Sequence, residues 1–233
     1  MVSMDSLPSL LHSDAEPSTG PADALGAMVA VMEEDVVFGR LHPRERLVED
    51  ELMERFAVKR HVVRDALATL DRMGLVERRK NIGAFVRSFS VQEVQELYEL
   101  RGLLETQAAR RIQMPVAPER LDRLIAIQRL HDAAVDDCDA RRVFRANLAF
   151  HQELFSLAGN ETLRKAIAEY ARQTHPIRFA SLVSPQYRQQ ARAEHWQMIE
   201  ALQAGDSQAL VDLCAAHLLP SRDAYLDAQK QRA

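Results

Sequence analysis

Glycine, proline and aromatic residues are scarce in this chain: 8 Gly, 9 Pro and 6% aromatic residues among 233. So few turn formers and β-favouring side chains exclude a strand-rich fold. Cysteine is rarer still. Cys138 and Cys214 stand in separate helical patterns with no CxxC spacing. That excludes a disulfide scaffold and leads us to expect a reducing, cytoplasmic setting. No apolar run reaches the roughly 18 residues of a membrane span, so no membrane association is expected. Positive charge is not in excess either: 30 basic against 34 acidic residues leave a net charge of −4. A nucleic-acid binder with that balance must segregate its charge along the chain. The first residues, MVSMDSLPSLLHSDAEPSTGP, carry no basic segment and no long apolar core. They read as a flexible arm over 1–21 rather than a signal peptide.

What is present is helical periodicity over most of the length. Helices are expected at Ala22–Phe38, Val48–Phe56 and Lys59–Met73, with the linker RLHPRERL between the first two. In the third, Val62, Val63, Ala66, Leu67 and Leu70 share one side. Gly74 stops it. Two short alternating runs, Leu75–Arg79 and Ile82–Arg87, then flank Lys80-Asn81 and carry Gly83, as a small hairpin would. Helix, helix, turn, helix, hairpin is the order of a winged helix-turn-helix, expected over 22–88. From 89 to 233 the pattern is continuous helix with short breaks. Six helices are expected there: Val91–Gln113, Pro118–Asp137, Asp139–Ala158, Glu161–Ser181, Pro185–Ala204 and Ser207–Ala228. Asn160, Ser184 and Asp206 stand where N-caps would help. The fold class is therefore mainly α: an N-terminal winged helix-turn-helix and a C-terminal antiparallel all-helical bundle.

Charge is segregated in step with this order. Residues 22–54 hold three basic and nine acidic side chains, whereas residues 55–88 hold nine basic and three acidic ones. A charge run alone is an ordinary solvated face. Its coincidence with the third helix and the hairpin points to DNA, whose phosphates need clustered cations and a helix N-terminus.

In the bundle, the stripe Phe144, Asn147, Leu148, His151, Phe155, Ala158 is apolar except for Asn147 and His151, one turn apart. His195 lies among Ala191, Met198 and Leu202, and His217 follows Leu210, Leu213 and Cys214. One such histidine would be a satisfied core residue. Three on inward stripes of three helices, with Asn147 beside one of them, suit a divalent ion such as zinc or nickel. Nothing like HExxH is present, and His12, His42, His61, His131 and His175 stand in less apolar settings. Arg101 is the other oddity, sharing a stripe with Val94, Leu97, Leu104 and Ala108. It can pair with Glu105 four residues on, or clamp a carboxylate ligand through two parallel hydrogen bonds.

These residues resemble a known family. RERLVEDELMERFAVKRHVVRDALATLDRMGLVERRKNIGAFV resembles the DNA-binding signature of GntR-type bacterial regulators. YELRGLLETQAARRI, NLAFHQELFSLAGN, EHWQMIEALQAGD and the late AAHL resemble the helical FCD effector domain of the FadR branch. The resemblance spans about residues 22–225, and the 22-residue separation of His195 and His217 fits it. It implies a homodimeric repressor or activator that grips a palindromic operator and responds to a small carboxylate metabolite. It also implies a metal held by one Asp and three His. Those positions match Asn147, His151, His195 and His217, so Asn stands in place of Asp. That removes a charge from the ligand set, although an amide oxygen can still ligate. Arg101 matches an arginine that looks toward the effector pocket.

In the DNA-binding half, Arg60 and Arg64 match the arginines that read guanine edges in the major groove. Lys59 and His61 replace the more usual hydroxyl residues, Val62 replaces a proline, and Asp50 stands where some relatives carry a DNA-contacting arginine. Asn81 and Gly83 belong to the wing, Gly83 suiting close approach to DNA. Pro220 is expected to kink the last helix. Two rival readings remain: a metal-dependent enzyme with a three-histidine site activating water, and a bundle serving only for dimerisation.

Overall fold

A computed structural model describes residues 21–178 and 184–230. Residues 1–20 of the expected arm, and the end of the helix expected to reach Ser181, lie outside the described residues. Two compact units result. One holds residues 21–93 and 171–178, the other 94–170 and 184–230.

The first unit opens with α1 (Pro21–Val37), followed by β1 (Arg46–Leu47), α2 (Glu49–Phe56) and α3 (Arg60–Arg72). The break between α2 and α3 is made by Ala57, whose left-handed backbone (φ 51°) turns its N–H back onto the Met53 and Glu54 carbonyls. α3 buries Val62, Val63, Ala66, Leu67 and Leu70, the stripe its periodicity demands. All but Val62 pack in one core with Met28 and Met32 of α1 and with Val76 and Val86 of the wing. Burying a leucine such as Leu70 completely contributes roughly 2–3 kcal/mol.

The wing is a three-stranded antiparallel sheet in the order β1-β3-β2, with β2 at Val76–Arg79 and β3 at Gly83–Val86. Arg46 faces Phe85, and Arg79 faces Gly83. The linker RLHPRERL thus contributes a strand. Two residues carry no periodicity of their own, and β1 exists because β3 supplies its ladder partners. At the hairpin tip Asn81 has φ 60° and Gly83 φ 131°; the second value requires glycine.

The 3-10 turn His175–Ile177 packs on α1 within this unit. His175 Nδ1 lies 2.9 Å from Glu33 Oε1. α7 (Glu161–Gln173) therefore ends well before Ser181.

The second unit contains α4 (Val91–Arg111), α5 (Pro118–Asp136), α6 (Ala140–Ser156), most of α7, α8 (Pro185–Ala204), α9 (Ser207–His217) and α10 (Leu219–Lys230). α5 packs on α6 and α8, and α8 on α9. Their shared core includes Leu124, Phe150, Met198 and Leu210. Asn160 caps α7 by accepting from Leu163 N (3.0 Å), and Asp206 caps α9 by accepting from Ala209 N (2.9 Å). Ser184 precedes α8 but makes no side-chain cap. The expected last helix breaks after Leu218, with Pro220 in the first turn of α10, where its missing N–H costs nothing.

Candidate functional site

Four of the residues expected to face DNA sit together at the start of α3. Lys59 is the extended residue before the helix, and Arg60, His61 and Arg64 project from its first turns, all exposed. Both arginines are held by the acidic first turn of α2. Arg60 Nη2 donates to Asp50 Oδ1 (2.5 Å), and Arg64 Nε donates to both Glu49 oxygens (3.0 and 3.1 Å). Such exposed pairs contribute about 0–1 kcal/mol, so phosphates or guanine edges can displace the carboxylates. α2 is braced from behind by Asp35, only 1% exposed, which accepts from Arg40 and Arg55. Asn81 and Gly83 lie exposed at the wing tip, where Arg46 Nη2 donates to the Ile82 carbonyl (3.2 Å).

In the other unit the three bundle histidines converge. His151 of α6, His195 of α8 and His217 of α9 bring one ring nitrogen each within 4.8 Å of one another. Their ring centroids lie 4.9 to 5.1 Å apart. Imidazoles sharing one tetrahedral ion at about 2.0–2.1 Å per nitrogen would place their centroids ~5 Å apart, so the residues present fit a divalent ion. Phe150 stacks on His195 at 4.0 Å and walls the cluster on one side. Asn147 is buried one turn before His151 on the same helix.

The chemistry of the nitrogens also fits. His217 Nδ1 meets Glu194 Oε2 at 2.5 Å, and His195 Nδ1 meets Gln128 Oε1 at 2.8 Å. A carboxylate and an amide oxygen only accept, so both histidines carry the proton on Nδ1 and turn a lone-pair Nε2 to the other side. His217 Nε2 lies 3.1 Å from His151 Nε2. Backing groups of this kind orient metal-binding imidazoles and raise their basicity. Burial would raise the Glu194 carboxyl, but its hydrogen bonds with His217 and Gln190 hold it below the ordinary carboxylate value.

Two expectations about single residues need correcting. His131 and His175 do not stand in weakly apolar places; both are buried. His131 lies 5.0 Å from His195, and neither of its ring nitrogens has a hydrogen-bond partner. Burial pushes its pKa down to about 4, so the ring is neutral. Burial lowers the His175 pKa too, in spite of Glu33.

Arg101 forms the ion pair with Glu105, Nη2 to Oε1 at 2.8 Å, and both side chains are buried. Burial, with the charge of Glu105, raises the Cys214 thiol. Gln128 and Glu194 were not singled out from the sequence. A polar residue on the buried stripe Leu124, Ile127, Gln128, His131 was a signal for the first. Glu194 gave none beyond standing next to His195.

Residues 27–86 match the bacterial regulatory proteins of the gntR family, and residues 96–219 match the FCD domain. The chain belongs to the GntR family. This GntR-family chain is 30% identical over 189 residues to the Nta operon transcriptional regulator of Aminobacter aminovorans, covering 79% of the chain and 84% of that protein. It is 27% identical over 192 residues to the HTH-type transcriptional repressor RspR of Escherichia coli, covering 81% and 82%. Among solved structures, E. coli McbR/YncC shares its fold with a TM-score of 0.74 at 18% identity over 89% of this chain and 98% of that one. A GntR-type regulator from Rhodococcus gives 0.73 at 22% identity, over 88% and 98%. The GntR-family chain is thus a DNA-binding transcriptional regulator. Its families and relatives are regulators, and the metal-dependent enzyme finds no support among them.

Proposed function

We propose that this regulator acts as a homodimer on palindromic operator DNA in the cytoplasm, and that a small carboxylate metabolite bound in its helical unit changes its grip. The observation that carries the ligand half is the convergence of His151, His195 and His217, two of them backed by acceptors. These three, with the Asn147 amide oxygen, would hold a divalent ion such as zinc or nickel. The ion supplies a positive, Lewis-acidic centre for an anionic ligand. Arg101 is the second cation for the carboxylate, which must compete with Glu105 for it.

On the DNA side, Arg60 and Arg64 read base edges, Lys59 and His61 flank them, and Asn81 and Gly83 carry the wing to the backbone or minor groove. An effector shifts DNA affinity only by binding the DNA-competent and DNA-released states unequally. The test uses the purified protein and the DNA upstream of its own gene, titrated by fluorescence anisotropy with and without zinc and a panel of small carboxylic acids. At least one acid that binds the protein is expected to change DNA affinity fivefold or more. Binding of acids with no change in DNA affinity overturns the reading.

A further inference from the structure

Behind His195 lies a chain of polar groups, buried at Gln128 and half-buried at Asp132, that the metal reading does not itself require. His195 Nδ1 donates to Gln128 Oε1 at 2.8 Å. Gln128, fully buried on α5, donates through Nε2 to Asp132 Oδ1 at 2.8 Å. Asp132 Oδ1 also accepts from Arg192 Nε (3.2 Å), and its Oδ2 accepts from Trp196 Nε1 (3.0 Å). Arg192 is itself anchored on Asp136 (2.7 Å).

The donor and acceptor roles in this chain admit one arrangement. Asp132 is a carboxylate and only accepts. The Gln128 amide must therefore turn its NH2 to Asp132 and its oxygen to His195. That oxygen accepts only, so His195 must be protonated on Nδ1. The opposite nitrogen, Nε2, is left with its lone pair, the form a metal ion needs. A flipped amide would set NH2 against Nδ1, place the proton on Nε2 and block the ligand.

We infer that Asp132 and Gln128 are positioning residues that lock His195 in its metal-binding tautomer through the amide of Gln128. The inference rests on the proposed metal site, but its tautomer part can be read without metal.

The experiment uses the full-length protein with zinc as the probe, competed against a chromophoric chelator. Asp132→Asn puts an NH2 where the Gln128 and Arg192 donors or the indole N–H already point, so Gln128 keeps its orientation only at the cost of the Trp196 bond and loses the carboxylate that holds it. Zinc affinity is expected to fall 10- to 100-fold. The exchanged pair Gln128→Glu with Asp132→Asn restores an acceptor facing His195 and a donor facing residue 128, and recovers most of that loss. Gln128→Met keeps the volume, offers no acceptor, and is expected to lose affinity as Asp132→Asn does; it decides the matter where Asp132→Asn does not fold. Nitrogen-15 spectra of the zinc-free protein are expected to show His195 protonated on Nδ1 in the parent and shifted toward Nε2 in Asp132→Asn. Parental zinc affinity in Asp132→Asn or Gln128→Met overturns the inference, as does an exchanged pair no tighter than Asp132→Asn. A parent that binds no zinc removes the metal reading instead, and the His195 spectra then decide the tautomer lock.

Discussion

The start of α3 and the histidine cluster are both built from nitrogen-bearing side chains held by acceptors, but water separates their energetics. Arg60 and Arg64 are exposed, and their bonds to Asp50 and Glu49 exchange cheaply. His195 is fully buried, and its bond to Gln128 has no solvent to replace it. In the proposed reading the first region hands its arginines from carboxylate to DNA. The second keeps two of its imidazoles, His195 and His217, turned by backing acceptors. A regulator needs both: a surface that trades partners and a core that does not.

The contrast can be broken most severely at Phe150, fully buried and stacked on His195. Phe150→Ala is expected to cost about 3–5 kcal/mol in denaturant unfolding. A loss under 1 kcal/mol would show that the cluster is not held by packing.

Acid comes next. Each unit holds a buried neutral histidine, His175 in one and His131 in the other. The folded pKa lies below the ordinary 6.5, so the unfolded chain takes up the proton first. Stability from these groups is complete above about pH 6.5 and is lost as pH falls. For His131, with its pKa pushed down to about 4, the loss between pH 6.5 and 4 amounts to about 3 kcal/mol. His131→Phe should flatten that limb in unfolding curves taken between pH 7.5 and 4. An unchanged acid limb refutes the assignment.

Zinc at 100 times its Kd should stabilise the parent by ~2.7 kcal/mol, read as a rise in Tm, and His217→Ala should abolish the rise. At α3, Arg60→Ala is expected to cost about 1–3 kcal/mol in operator binding, measured by anisotropy. The smallest change is Asp50→Ala. It should alter stability by about 1 kcal/mol or less while tightening binding to non-operator DNA, because Arg60 loses its internal competitor. A large loss of stability would mean that the exposed pair is structural after all.

Much of this architecture was legible in local patterns. The α3 stripe from Val62 to Leu70 and the hairpin glycine at 83 each follow from one residue's conformational demands or from a 3.6-residue period. The histidines at 151, 195 and 217 were legible because a polar residue on an apolar stripe is conspicuous. β1 was not, since two residues make a strand only when β3 lies beside them. Glu194 was not, since its partner His217, on another helix, and not its own pattern, gives it a role.

The sequence by itself determined the element order, the segregation of charge onto α3 and the wing, and the inward stripes that carry His151, His195 and His217, because periodicity and composition act within a few residues of the chain. Tertiary structure alone decided which acceptors back His195 and His217, and that His131 and His175 are shielded from water. Those depend on groups up to 142 residues apart reaching hydrogen-bond or packing distance, and no local pattern encodes such distances.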